Sequence, residues 1–90
     1  MGELTRSGVW SILDEEGLQH YAWFEDRPLR AEEAGIVFGD RGYRVFVTDE
    51  RAAEAYLAEY ASEQVALEDF LARVRSLNRF LALRKKRKDR

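Results

Sequence analysis

The last 42 residues of the chain, 49–90, contain neither glycine nor proline. A stretch of that length without a backbone breaker favours helix, because glycine and proline are the residues that cost a helix most. Thr48-Asp49-Glu50 supplies a capping hydroxyl and two acids, suited to the unpaired N–H groups and positive end of a starting helix. The sequence that follows is rich in Ala, Leu, Glu and Arg. Leu67, Phe70, Val74, Leu77 and Leu81 then recur at 3,4,3,4 spacing, which lines them along one side of a helix. Ser62 could continue the helix or cap a second one, so the expectation is one long helix or a helix pair. The segment 49–61 is expected to form its first part, with Tyr56, Leu57 and Tyr60 on an apolar side.

The first half reads as strands and turns. Ile36-Val37-Phe38, Gly39-Asp40-Arg41-Gly42 and Tyr43 to Thr48 form an apolar run, a turn and an alternating strand, the pattern of a β-hairpin. Residues 9–24 admit two readings. One is a second hairpin, Val9 to Leu13 and Leu18 to Phe24 around the turn Asp14-Glu15-Glu16-Gly17. The other is a helix over 7–16 that Gly17 stops. The hairpin is the leading reading. Pro28 and the residues after it, up to Gly35, suit one or two helical turns. The fold class expected is α+β: a small antiparallel sheet of about four strands in two hairpins, covered by the C-terminal helix or helix pair. One domain is expected over 1–84, with a basic tail over 85–90.

Composition narrows the function. An apolar share of 46% with 5 Phe, 4 Tyr and 2 Trp in 90 residues supports a folded single domain. With no Cys and one His, His20, neither a disulfide framework, a zinc site nor a thiol nucleophile can be assembled. Glu15-Glu16 and Glu32-Glu33 are sequence neighbours whose side chains diverge, and the Gly39 to Gly42 turn matches no phosphate-binding loop. We therefore expect no enzyme, no catalytic residues, no metal and no cofactor. Met1 to Arg6 lacks the apolar centre of a signal peptide, and no apolar run approaches the ~20 residues of a membrane span. A soluble, cytoplasmic protein with no membrane partner is expected.

Charge is distributed unevenly. Residues 1–69 hold 16 acids and 6 Arg, a balance of −10, whereas residues 70–90 hold 9 bases and one acid, a balance of +8. Trp10, Tyr21, Trp23 and Phe24 crowd into 15 residues near several acids. In the hairpin reading, Tyr21 and Trp23 face solvent, opposite Leu18, Ala22 and Phe24. Together with Glu15, Glu16, Glu25 and Asp26 they form an acidic, aromatic docking surface. The expected function is a non-catalytic protein-binding module. By class analogy it is an inhibitor or immunity-type protein that sits on a basic partner, one that could itself handle nucleic acid. The alternative is a nucleic-acid-associated regulator. It would be a homodimer through the C-terminal helix, where Phe80 and Leu83 lie off the stripe, and would use Arg84, Lys85, Lys86, Arg87, Lys88 and Arg90.

Overall fold

A computed structural model describes residues 4–25 and 27–88. The order of elements is α1 (Arg6–Glu15), β1 (Tyr21–Trp23), β2 (Ala34–Gly39), β3 (Gly42–Thr48), β4 (Glu54–Tyr60) and α2 (Glu63–Lys88). The strands form one sheet in the order β1-β2-β3-β4, and α2 lies across one of its faces. The fold is α+β as expected, but the sheet is mixed, since β1 runs parallel to β2 while the other two pairings are antiparallel.

The first correction follows from local capping. Residues 6–15 are helical, and the N-terminal hairpin does not form. Thr5 Oγ1 accepts from Gly8 N at 3.0 Å, which satisfies one orphan donor of the first turn. At the other end Gly17 takes φ +61°. Leu18 N then donates to Leu13 O, and Gly17 N to Asp14 O, the paired bonds of a Schellman stop. Leu13 and Leu18 both join the core, as that motif favours. The Asp14 to Gly17 cluster read as a hairpin turn is a helix terminus. With no hairpin partner available, β1 pairs with the next strand. The connection over residues 24–33 returns to the same end of the sheet, so the two strands are parallel.

Two further expectations are overturned. Residues 28–33 form turns and irregular chain rather than a helix. They are tied to the sheet by Thr48, whose hydroxyl donates to Arg30 O at 2.6 Å and accepts from Glu33 N at 3.0 Å. Residues 54–60, expected as helix, are β4. The capping chemistry of Asp49 is real but serves a turn. Its Oδ1 accepts from Arg51 N and Ala53 N, and Asp49 N donates to Ala53 O. The chain therefore reverses into a strand. Tyr56, Ala58 and Tyr60 then fall on the face toward α2, where both tyrosine hydroxyls donate to Asp69 Oδ2 at 2.7 and 2.9 Å. Helix α2 is a single element that starts after Ser62.

The second hairpin forms as expected, closed by Asp40-Arg41 between the paired Gly39 and Gly42. The core lies between the sheet and α2. Val9 and Leu13 of α1, Ala34, Ile36 and Val45 of the sheet, and Ala66, Leu67, Phe70, Leu71 and Val74 of α2 make it up. Of the 3,4 stripe, Leu67, Phe70 and Val74 are fully buried, while Leu77 and Leu81 are half-buried. Leu71, which lies off that stripe, is buried too. Among the described residues no helix is long and apolar enough to cross a membrane.

Candidate functional site

Tyr21 and Trp23 occupy alternate positions of β1 and so share a face. In the parallel register they stand beside Ala34 and Ile36, on the face that α2 covers. Their rings lie 6.4 and 5.5 Å from that of Phe70. The expected orientation is thus corrected: both are half-buried and face α2, while Ala22, on the opposite face, is fully buried. The physical reason is the pairing itself, since a parallel β1 beside β2 must share β2's inward face.

Of the four aromatics crowded into residues 10–24, the one most open to solvent is Trp10, which the hairpin reading had placed in a strand. It lies on α1, is 51% exposed, and rests on Trp23 at 5.8 Å and edge-on to Tyr21 at 6.3 Å. Trp23 in turn meets Phe24 edge-on at 4.9 Å, and the Arg6 guanidinium sits 4.1 Å above the Phe24 ring. Trp10, Asp14 and Tyr21 border one hollow of about 190 Å³, with Leu13 and Leu18 at its back. Asp14 follows Trp10 by one helical turn, which sets a carboxylate beside the indole. The sequence signal for Trp10 was present in the i, i+4 spacing of Trp10 and Asp14, once residues 6–15 are taken as helix.

The acids expected at this surface have different roles. Glu15 is exposed at the end of α1. Glu16 is bound by Arg75 of α2 through contacts of 3.0 and 2.5 Å, and the Arg75 hydrogen bond holds its carboxyl below the usual range. Glu25 accepts from Arg27 Nε and from Trp23 N, both at 3.2 Å, and these bonds lower its pKa in that order. Asp26 lies outside the described residues. The sequence reading missed Asn78. Its side chain accepts from Gln19 N at 2.8 Å and donates to Gln19 O and Val74 O at 2.7 Å each, which pins the α1–β1 connection to α2.

The basic segment is partly consumed by the fold. Arg84 forms a fork with Glu32, one arm at 2.7 Å, and a hydrogen bond to that acid raises its pKa further. Arg73 pairs with Asp69 at 3.1 Å and stacks over Tyr56. Lys85 and Lys86 are exposed. The helix backbone continues to Lys88, while the side chains of Arg87 and Lys88, and all of Arg90, lie outside what is described.

The face of the sheet away from α2 carries a second apolar surface. Val37, Phe46 and Leu57 floor a groove of about 580 Å³, bordered by Leu29, Arg27 and Arg44. Phe38, at its end, is 62% exposed. Among the described residues no three His, Cys, Asp or Glu side chains converge on a shared metal position. Comparison with family models, with curated proteins and with solved structures finds no match to this chain.

Proposed function

We propose that the protein is a non-catalytic binding module that docks on a basic partner protein through the aromatic surface at the β1 end of the sheet. The observation that carries this reading is the half-exposed Trp10 packed on Trp23 and edge-on to Tyr21, with Asp14 in the same hollow. An indole held rigidly by two other rings loses little side-chain freedom on binding. Rigid aromatics surrounded by polar groups commonly dominate interface energy. Asp14 borders the surface, so a cationic side chain of a partner would find a counter-charge there. Tyr21 and Trp23 act as its base, and Glu16 stabilises the α1 terminus by holding Arg75. An inhibitor or immunity-type role fits such a surface as a class.

The nucleic-acid reading rests on the exposed Lys85 and Lys86 and the cations that follow them. It is the weaker one, because Arg84 is engaged by Glu32. One experiment separates the two. Full-length protein is used for affinity capture from its native host, with and without nuclease, alongside a Trp10→Ala variant. The protein-docking reading expects a basic protein that survives nuclease treatment and is lost with Trp10→Ala. Capture that depends on nucleic acid, or that is unchanged in Trp10→Ala, would sink it.

A further inference from the structure

Strand β4 is an edge strand, and its outer side is bare. No other described segment donates to or accepts from the backbone of Glu54–Tyr60 beyond the pairing with β3. The register shows which groups face outward. The two-residue turn between Gly39 and Gly42, and the bond from Thr48 N to Glu33 O, direct Arg44, Phe46 and Thr48 of β3 toward β2. Tyr43, Val45 and Val47 therefore bond to β4, where their partners are Tyr60, Ala58 and Tyr56. Leu57 and Glu59 alternate with these and point N–H and C=O away from the sheet. Natural edges are commonly blunted by lysine, proline or a bulge. This strand has no Lys, Pro or Gly, and its irregularity lies at the first residues, near the partners of Val47 and Thr48.

We propose that the β4 edge pairs with the β4 edge of a second copy, antiparallel about a two-fold axis at Leu57, joining two four-stranded sheets into one. Charge and register fit a second copy as the occupant and narrow the choice of axis. With the axis at Leu57, Glu59 faces the partner's Ala55, so no carboxylate of the regular part of the strand meets another. An axis at Glu59, the next outward-pointing residue, would set two carboxylates directly opposite, which is destabilising. Apolar surface on both sides of the sheet leads to this same edge. On the open face Phe46 and Leu57 are cross-strand neighbours, and pairing extends that row through two leucines to the partner's Phe46. On the helix side a groove of about 320 Å³ between β4 and α2 is lined by Ala55, Tyr56, Leu77 and Phe80, and Phe80 is 58% exposed there. This interface lies at the opposite end of the sheet from Trp10, so it neither needs nor blocks the docking surface above.

Sedimentation of the full chain from micromolar to millimolar concentration tests the proposal. The mass should rise from one chain to two. Glu59→Pro removes an outward N–H and no β3–β4 bond, and Leu57→Arg sets two cations at the axis. Each should weaken association by about tenfold or more while the melting transition stays cooperative. If Glu59→Pro does not fold, Leu57→Arg carries the test. Because the chain has no native cysteine, Leu57→Cys should oxidise to a covalent dimer and Glu68→Cys, on exposed helix, should not. A single-chain mass at millimolar concentration overturns the proposal. So does a dimer that persists in Leu57→Arg, or one abolished instead by Leu83→Asp, which would mark a helix seam.

Discussion

Trp10 and Trp23 touch each other and have opposite assignments. Trp10 is half exposed, so Trp10→Ala should leave stability within about 1 kcal/mol while weakening partner binding by more than about 2 kcal/mol. Trp23 packs on Phe70, and its truncation should destabilise the fold by about 3 kcal/mol. Chemical denaturation and calorimetric binding on the two variants read the difference, and a Trp10→Ala variant that unfolds would move Trp10 from interface to core. Gly35 has a different constraint. It lies opposite Phe46, whose ring tip would be only 2.1 Å from a Cβ at position 35. Phe46 is just 6% exposed because it lies over that glycine. Gly35→Ala should displace the ring and cost about 1–3 kcal/mol, and a melting temperature unchanged from wild type would contradict this contact. Glu33 is 4% exposed and receives Arg27 at 2.8 and 3.0 Å and Arg30 N at 3.0 Å. Burial pushes its pKa up, but the Arg27 and Arg30 bonds outweigh that and hold it below the ordinary carboxylate value of 4.5. Its stabilisation is therefore complete above pH 4.5 and disappears as pH falls through the lower folded value. Acid titration followed by circular dichroism should show this loss. Glu33→Gln should cost about 3 kcal/mol at neutral pH and flatten the acid limb; an identical acid limb would exclude Glu33 as its source.

At the scale of elements, α2 organises the molecule more than any strand. Its buried side meets the sheet through Leu67, Phe70 and Val74 and meets α1 through Val9 and Leu13. Its polar side holds Gln19 through Asn78, Glu16 through Arg75 and Glu32 through Arg84. Phe70 is the hub, in contact with the rings of both Tyr21 and Trp23. Phe70→Ala should cost about 3–5 kcal/mol in urea unfolding. A loss under about 1 kcal/mol would mean that the aromatic cluster holds without it. Strand β4 depends on α2 just as closely, since Asp69 orders both of its tyrosines while Arg73 braces the carboxylate. The neighbouring Tyr56 hydroxyl first, and then the Asp69 carboxylate, push the Tyr60 hydroxyl pKa well above its usual value, so it remains a donor throughout the physiological range.

Across the whole molecule, the charge division seen along the chain is folded back on itself. Arg75 and Arg84 from the basic end reach Glu16 and Glu32 of the acidic body, and Arg73 meets Asp69. Less positive charge is thus left exposed than the sequence suggests, and among the described side chains of the basic end it includes Arg79, Lys85 and Lys86. Deleting residues 85–90 should change stability by less than about 0.5 kcal/mol, the usual range for surface changes, and should leave capture of a basic protein intact. A nucleic-acid role expects instead that salt-sensitive DNA or RNA binding disappears with the deletion. Sedimentation, melting and fluorescence anisotropy on the truncated chain distinguish the two, and lost protein capture would place the tail within the docking surface.

The sequence by itself determined the α+β class, the Gly39 to Gly42 hairpin, the core stripe Leu67, Phe70 and Val74, and the concentration of aromatics near residue 20. Each rests on local periodicity or on turn residues whose conformational preference needs no distant partner. The tertiary structure alone decided residues 54–60. Their Ala and Glu content favours helix, but their alternation suits a strand beside β3, and Asp69 rewards that choice by bonding both tyrosines. Tertiary contact also decided which of the two tryptophans reaches solvent. Trp10 and Trp23 are equally apolar in sequence, and only the parallel pairing of β1 with β2 turns Trp23 onto Phe70 and leaves Trp10 on the outside.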